Sequence, residues 1–446
     1  MELNSLTAIS PIDGRYQKQT QVLDAYFSEY ALIRRRFLVE VEYFIQLIDW
    51  LPQLEALRGT ALIETMRNYA KSFSLENAKR IKEIEKVTNH DVKAVEYFLK
   101  EKLSEAGWGE YAEFVHFGLT SQDVDSTSRT SLFQEALNEV YLPLLNEVFK
   151  SMDSYADIWK NIPMLAHTHG QPASPTTVGK ELAVFVNRLQ KEFNKAIPLS
   201  AKFGGATGNM NAQYLAYPEI DWRVFAETFL MGFDLRRDWP TTQIEHYDSL
   251  AENLHNLVRI NTILIDFAKD MWTYISMGYF VQKPKDGEVG SSTMPHKVNP
   301  IDFENAEGNL GWANAGLEYL AKTLPVSRLQ RDLSGSTLIR NLGVPMAHMI
   351  IALNSIKKGL GKIVLNQAKL SKDLNNNHAV VAEAIQTILR REGYPNPYEE
   401  LKKLTRTGEQ VSRQDIVVFI GSLQVSDEIK AELLDISPSN YIGMID

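Results

Sequence analysis

Apolar residues recur three and four positions apart along most of this chain. The clearest stripe lies in the segment 246–280, which contains no proline. Its apolar positions are Leu250, Leu254, Leu257, Ile260, Leu264, Phe267, Met271 and Ile275. Because this spacing places the side chains on one face, it predicts an amphipathic helix of about 50 Å at about 1.5 Å per residue. Further helices are predicted, and strand patterns are sparse; the helical stretches lie near 130–160, 175–197, 300–323, 345–365 and 370–392.

These patterns predict an all-α fold. Several helices this long cannot each cover a compact core alone, so we expect an extended bundle that buries its stripes against other subunits. A Gly-Trp-Gly break at 107–109 and a polar stretch at 366–377 indicate boundaries. The sequence therefore predicts an N-terminal helical domain at 1–111, a central long-helix bundle at 112–364 and a C-terminal helical domain at 365–446.

Composition narrows the possible functions. At 446 residues the chain exceeds one ordinary core. Its formal net charge of −9 argues against nucleic acid as the main partner, although a locally basic pocket remains possible. The absence of cysteine excludes disulfides, thiolate nucleophiles, iron–sulfur clusters and cysteine-ligated zinc. No apolar run approaches about 18 residues and no secretory signal is visible, so we expect a cytoplasmic protein with no membrane partner.

The loop GSSTMPHKVNP at 290–300 carries the strongest chemical signal. Two serines, a histidine, a lysine and an asparagine lie between glycine and proline breakers. Pro284 and Gly287, just upstream, also favour a loop over a helix. A loop of this type, with hydroxyls and a cation, can close over a bound anion. The alternative is an ordinary solvated connection between helices.

Three shorter polar clusters have both a functional and a structural interpretation. Asp-Gly-Arg-Tyr at 13–16 could present an anion contact and a ring, or only a surface arginine. Thr-Asn-His-Asp at 88–91 and Thr-Ser-Gln-Asp at 120–123 are typical of helix N-caps. The hydroxyls of Thr120 and Ser121, together with helix N-terminal amides, could also bind an anion.

A fourth cluster, at 166–173, contains His167 and His169 in a turn that ends with Gly-Gln-Pro. The His-x-His spacing could suggest a metal site, but no nearby carboxylate completes a ligand set. A general acid is the more plausible role, because histidine titrates near neutral pH.

Together these segments resemble the bacterial form of the adenylosuccinate lyase family, a branch of the fumarase/aspartase superfamily. The loop GSSTMPHKVNP is similar to the superfamily signature GSSxMPxKxNP. The segments THGQPASP, TSQD, TNHD and DGRY, and the Thr-Thr-Gln stretch at 241–243, resemble further segments of that branch. The resemblance covers essentially the whole chain.

The resemblance implies a β-elimination that releases fumarate. Adenylosuccinate would give AMP, and succinyl-aminoimidazole carboxamide ribotide would give aminoimidazole carboxamide ribotide. No cofactor and no metal are needed. The resemblance further implies a homotetramer with a twenty-helix core and active sites shared between subunits.

The resemblance also assigns the catalytic roles. Ser291 would be the base, His169 the acid, and Lys297 the cation that stabilises the serine alkoxide and the carboxylate. Ser292 remains an alternative base; otherwise it would bind a substrate carboxylate.

The implied substrate-binding residues form a larger set. They are Arg15, Tyr16, Asn89, His90, Asp91, Thr120, Ser121, Gln243, Ser292, Asn299, Asn305, Arg331, Ser336, Thr337 and Arg340. Arg15 and Tyr16 would face the ribose phosphate, and Thr120, Ser121 and Gln243 would hold the succinyl carboxylate. The alternative for the arginines at 328, 331 and 340 is a surface face of salt bridges.

Overall fold

The computed structural model describes residues 2, 4–195, 197–283, 298–405 and 411–444. The described chain is mainly helical, which confirms the all-α prediction. The α-helices are α1 (Gln17–Thr20), α2 (Asp24–Phe27), α3 (Glu29–Trp50), α4 (Ala61–Lys71), α5 (Leu75–Thr88), α6 (Asp91–Glu105), α7 (Ser121–Ala136), α8 (Leu142–Ile158), α9 (Val178–Phe193), α10 (Asn211–Ala216), α11 (Trp222–Met231), α12 (Asp248–Ser276), α13 (Ile301–Thr323), α14 (Ser334–Leu338), α15 (Gly343–Leu360), α16 (Gln367–Asn375), α17 (Ala382–Arg391), α18 (Pro397–Thr405), α19 (Arg413–Ser422) and α20 (Asp427–Asp435).

The described strands are only two or three residues long. They are β1 (Pro163–Met164), β2 (His167–Thr168), β3 (Gln171–Pro172), β4 (Thr176–Thr177), β5 (Ser200–Ala201), β6 (Arg236–Arg237), β7 (Phe280–Gln282) and β8 (Ile363–Leu365). β1 pairs with β4, β2 with β3 and β7 with β8 in antiparallel fashion, whereas β5 and β6 are parallel.

The predicted helix at 246–280 is confirmed as α12, and the stretch near 130–160 is α7 and α8 joined through a π-helical turn, Leu137–Tyr141. The single helix predicted near 370–392 is wrong, because the chain forms α16 and α17 there. Asn377 accounts for the break: its Nδ2 donates to the Asp373 carbonyl at 2.8 Å, which satisfies a group at the end of α16. Asparagine side chains compete in this way with helix continuation.

The chain divides into two compact units. Unit 1 consists of Met1–Leu145, Asn194–Thr262 and Gly308–Ala352. Unit 2 consists of Asn146–Phe193, Ile263–Glu307 and Leu353–Asp446. The three-region division drawn from the sequence stays a prediction.

Aromatic side chains form much of the core of unit 1. The Tyr43 ring of α3 lies 5.6 Å from the ring of Phe203 and 5.8 Å from those of Phe225 and Phe229. Edge-on and tilted contacts of this type add stability beyond the buried area. The Tyr43 hydroxyl donates to the Phe117 carbonyl at 2.6 Å, just before the start of α7. The core therefore holds the chain that leads into α7.

Unit 2 places a β-hairpin beside its own aromatic cluster. Trp159 stacks on Tyr155 at 4.5 Å and lies 5.4 Å from Phe280 of β7. Strands β1 and β4 close around the β2–β3 hairpin, and the Ala173 N–H donates to the Ala166 carbonyl at 2.8 Å. These bonds fix the base of the hairpin that carries His169.

One described segment, Ser334–Leu360, is long and apolar enough to span a membrane. However, 61% of its apolar window is buried inside the protein, which is typical of a core helix.

Candidate functional site

The N-terminus of α7 is fixed by a capping arrangement. The Thr120 N–H donates to Asp123 Oδ2 at 2.8 Å, and the Thr120 hydroxyl lies 3.2 Å from the same oxygen. The capping interpretation of Thr-Ser-Gln-Asp is therefore confirmed. Thr120 is the N-cap, so Ser121 is the first residue of the helix. Hydroxyls and amides in this first turn can face an anion.

Three of the predicted substrate-binding residues meet beside this turn. Arg331 Nη1 donates to Ser121 Oγ at 3.3 Å and to Gln243 Oε1 at 3.4 Å. The Gln243 amide Nε2 in turn donates to the Ala206 carbonyl at 2.9 Å. Ser121, Gln243 and Arg331, which lie far apart in the sequence, thus form one polar group, called the Arg331 group below.

A second set of predicted residues surrounds the start of α6. Asn89 ends α5 in the left-handed region at φ 53°, a conformation that asparagine tolerates well. His90 is the N-cap of α6, and its Nδ1 accepts from the Lys93 N–H at 3.1 Å. The cap interpretation is confirmed here too, and it places Asp91 at the first position of the helix.

Asp91 joins a buried arginine to a more exposed one. Its Oδ2 accepts from Arg36 at 2.8 Å and from Arg340 at 3.4 Å. Burial acts to raise the pKa of Asp91, but the charge of Arg36, the Val92 N–H and the charge of Arg340 outweigh it and lower that pKa. Asp91 is therefore an anion that orients Arg340.

The alternative of a surface salt-bridge face fits Arg328 fully and Arg340 in part. Arg328 pairs with Asp332 at 2.8 Å, and its side chain is 81% exposed. Arg331 instead contacts Ser121 and Gln243. Arg340 is 46% exposed and pairs with Glu29 at 3.2 Å as well as with Asp91 at 3.4 Å. Ser336 and Thr337 lie on α14, one turn before Arg340, and the Thr337 hydroxyl donates to the Leu333 carbonyl at 3.4 Å.

Arg15 and Tyr16 lie in a turn of unit 1, where Arg15 is exposed and Tyr16 is partly buried. The Arg15 guanidinium lies 6.0 Å from the centroid of the Tyr16 ring. In the described part of unit 1, no hydrogen bond joins Arg15 to the Arg331 group.

In unit 2, His169 lies at the tip of the β2–β3 hairpin. His169 and Gly170 have φ values of 53° and 74°, as a two-residue type I′ turn requires at both central positions. The His169 side chain is exposed, so the hairpin presents its imidazole outward. The predicted turn is confirmed.

The other predicted residues of unit 2 are only partly described. Asn305 lies on α13, and its Oδ1 accepts from the Ser355 hydroxyl at 2.8 Å. Asn299 is partly buried just before α13 begins. Ser291, Ser292 and Lys297 lie outside the described residues.

Sequence reasoning missed the burial of several polar residues of unit 1. On α7, Asp123, Ser126, Thr127 and Ser128 are buried although they are polar. One signal was available: the segment SQDVDSTSRTS contains a single apolar residue, so α7 lacks the usual stripe. A helix in the core with so few apolar residues must satisfy its polar groups internally, which is common near functional sites.

The buried carboxylate of Asp123 belongs to an ion pair. Lys202 Nζ lies 2.7 Å from Asp123 Oδ1, and neither side chain is exposed. Nothing in the sequence distinguishes Lys202 from a surface lysine. In the described part of the chain, no group of three histidine, aspartate or glutamate residues is arranged to hold a metal ion.

Family models match most of the chain. One described as "Lyase" matches residues 14–313, and one described as "Adenylosuccinate lyase C-terminal" matches residues 327–442.

Full-length relatives are similar at high identity. An adenylosuccinate lyase from Dictyostelium discoideum is 55% identical over 100% of this chain and 98% of its own length. An adenylosuccinate lyase from Escherichia coli (strain K12) is 46% identical over 99% of this chain and 98% of its own length.

Solved structures share the fold at low identity. A fumarate lyase from Mesorhizobium sp. BNC1 matches with a TM-score of 0.74 at 18% identity, over 95% of each chain. A β-carboxy-cis,cis-muconate cycloisomerase from Acinetobacter calcoaceticus matches with a TM-score of 0.71 at 17% identity, also over 95% of each chain.

Proposed function

Because this chain belongs to the adenylosuccinate lyase family of the fumarase/aspartase superfamily, we propose that its Arg331 group and its His169 hairpin each contribute residues to active sites that are shared between subunits. The reaction is the β-elimination of fumarate from adenylosuccinate, which leaves AMP in purine nucleotide biosynthesis. The corresponding cleavage of succinyl-aminoimidazole carboxamide ribotide follows the same chemistry.

The observation that carries the site assignment is the convergence of Ser121, Gln243 and Arg331. Both hydrogen bonds from Arg331 Nη1 are long, at 3.3 and 3.4 Å. A carboxylate oxygen would form a shorter, charge-assisted bond with the same guanidinium, at about 2.8 Å. We therefore assign Thr120, Ser121 and Gln243 to the succinyl carboxylate, with Arg331 as a neighbouring anion contact.

The other end of the substrate carries the ribose phosphate. We assign it to Arg15, Tyr16 and Arg340, together with the hydroxyls of Ser336 and Thr337. Asp91 supports this assignment because it holds Arg340 at 3.4 Å. Two separate cationic regions suit a substrate with up to about four negative charges.

The elimination needs an acid and a base on the two sides of the breaking C–N bond. We assign the acid to His169, whose exposed imidazole stands at a hairpin tip, so that it protonates the departing nitrogen. Ser291 removes the proton next to the carboxylate, with Ser292 as the alternative base. Lys297 stabilises the aci-carboxylate that develops between these steps.

The remaining predicted residues line the same site. Asn89 and His90 are held by their positions at the helix ends around Asp91. Asn299 and Asn305 lie close in sequence to Lys297, at the start of α13.

The family resemblance and the exposed apolar residues of the long helices support the proposed assembly. Trp312 and Tyr319 of α13 are 63% and 56% exposed. They line an apolar groove of about 340 Å³. Burying such residues favours association. The proposed assembly is a homotetramer that shares its active sites between subunits, and the proposed location is the cytoplasm.

Ultraviolet absorbance tests the activity and the site together. The protein is mixed with adenylosuccinate, and the formation of AMP and fumarate is followed. Argininosuccinate, malate and aspartate serve as substrates that should not turn over.

A pair of arginine variants then tests the Arg331 group. Arg331→Met should lower kcat/KM about 10- to 100-fold, because a hydrogen bond from a charged donor contributes about 1.5–3 kcal/mol. Arg328→Met removes an arginine whose side chain is 81% exposed, so it should stay within about twofold of the wild type. Equal effects of the two substitutions would contradict the assignment.

A further inference from the structure

The carboxylate of Asp123 accepts hydrogen bonds from two separate segments of unit 1. Its Oδ1 accepts from the Gly204 N–H at 2.7 Å and from the Gly205 N–H at 3.1 Å. Its Oδ2 accepts from the Thr120 N–H at 2.8 Å. Asp123 therefore ties the start of α7 to the loop 204–208.

Lys202 completes this buried arrangement. Its Nζ lies 2.7 Å from Asp123 Oδ1, donates to the Gly205 carbonyl at 2.5 Å and lies 3.5 Å from the Thr120 hydroxyl. A lysine ammonium has three N–H donors, and these three acceptors match them in number. The Lys202 backbone N–H also donates to Ser126 Oγ on α7, at 3.0 Å.

The loop 204–208 is in turn packed directly against the segment that carries Gln243. Gly208 has a φ of 79°, and a Cβ at that position would collide with the Thr241 carbonyl. The Ala206 carbonyl accepts from Gln243 Nε2 at 2.9 Å. The loop thus contacts α7 on one side and the Gln243 segment on the other.

This geometry gives Lys202 a place in the reaction although it does not touch the Arg331 group. Ser121 is fixed by the start of α7, and Gln243 is fixed by the loop. We propose that Lys202 is a positioning residue that sets the separation of Ser121 and Gln243, and thereby the affinity of the site for the succinyl carboxylate. This inference rests on the proposed function, in which those two residues hold the carboxylate.

Stability alone is a poor explanation of the buried pair. Removing two charges from water is costly, and buried pairs often contribute little net stability compared with apolar residues of similar size. Burial also lowers the pKa of Lys202 despite the attraction of Asp123, which reflects that cost. What the ammonium offers beyond an apolar side chain is three directed donors.

Product inhibition tests the proposal, because the two products report on different ends of the site. In Lys202→Met, the inhibition constant of fumarate should rise at least tenfold, whereas that of AMP should stay within about twofold. The KM for adenylosuccinate should rise as well. Unchanged constants for both products, or equal increases in both, would overturn the proposal.

A double variant separates positioning from the relief of a buried charge. Lys202→Met leaves the Asp123 carboxylate unpaired, so its melting temperature should fall. Combining it with Asp123→Asn removes both charges and should recover most of that stability. The inhibition constant of fumarate should stay raised in the double variant, because the Gly205 carbonyl and the Thr120 hydroxyl still lack the Lys202 ammonium as a donor. Full recovery of fumarate affinity would refute the positioning role.

A milder variant decides the question if Lys202→Met does not fold. Ser126→Ala removes only the hydroxyl that accepts from the Lys202 backbone. It should raise the fumarate constant at least threefold without changing that of AMP, and an unchanged fumarate constant would count against the proposal.

Ser121→Ala distinguishes the two levels of the argument. If it leaves fumarate affinity unchanged, the assignment of the succinyl carboxylate is wrong. If it weakens fumarate binding whereas Lys202→Met does not, only the role of Lys202 is refuted.

Discussion

Glu245 should make this protein less stable as the pH rises, and Glu245→Gln should remove that dependence. The side chain is 2% exposed, its Oε1 lies 3.0 Å from Ser200 Oγ, and its Oε2 accepts from the Tyr247 N–H. Burial, followed by the negative charge of Asp238, raises the pKa of Glu245 to about 8. The carboxyl group is therefore mainly neutral in the folded protein at neutral pH.

The size of the effect follows from the difference in pKa. In the unfolded chain the group titrates near its ordinary value of 4.5. Between pH 4.5 and 8 the unfolded state thus binds fewer protons than the folded state, and the free energy of unfolding falls as pH rises. Each pH unit well inside this window costs about 1.4 kcal/mol, so about 5 kcal/mol is lost over the complete titration. Between pH 6 and 8 the loss is about 2 kcal/mol, because the slope falls by half where the pH equals the pKa of the folded state.

Urea unfolding at pH 6 and at pH 8, at one protein concentration, measures this difference. The amide of Glu245→Gln can still accept from Tyr247 and donate to Ser200, but it does not ionise. The variant should therefore lose about 2 kcal/mol less than the wild type between the two pH values. Glu252→Gln, at an exposed position of α12, is the matched control and should follow the wild type. Parallel behaviour of wild type and Glu245→Gln would refute a neutral Glu245.

Three predictions concern the catalytic residues. Ser291→Ala should abolish turnover, because the serine acts mainly in the transition state. The affinity for adenylosuccinate, measured by isothermal calorimetry, should change less than about tenfold. A near-normal kcat would assign the base to Ser292. His169→Gln should strongly lower the turnover rate of adenylosuccinate, but lower less that of a substrate with a better leaving nitrogen. Equal losses of rate for both substrates in steady-state kinetics would favour a binding role for His169. Equal amounts of the two variants can be dissociated and re-annealed. If subunits share sites and mix at random, about one quarter of wild-type activity should return. No recovery in verified mixed oligomers would place the acid and the base on one chain.

The helices were predictable because burial of one face imposes a period that the sequence displays. The stripe from Leu250 to Ile275 falls within α12, as expected. The prediction of one helix near 370–392 failed because a hydrogen bond from the Asn377 side chain ends α16, without any interruption of the apolar pattern. Local hydrogen-bonding alternatives of this type do not change the apolar period, so the period cannot reveal them.

The site was predictable only where its residues form local clusters. Thr-Ser-Gln-Asp and Thr-Asn-His-Asp were recognisable because helix caps require particular residues at fixed spacing. The pairing of Asp123 with Lys202 depends on a contact between distant segments. The same holds for Arg36, which is fully buried between Asp91 and Asp125 but lies on an ordinary amphipathic helix. Tertiary contacts such as these leave no periodic signal in one sequence.

A structure of the inactive His169→Gln variant with bound adenylosuccinate would test the central claim most directly. A carboxylate of the succinyl group should lie within about 3 Å of Ser121 Oγ and the Gln243 amide, the range of a hydrogen bond. The phosphate should lie beside Arg340 and Arg15. A succinyl group bound away from Ser121 and Gln243, or a reversed substrate with its phosphate at these residues, would contradict it.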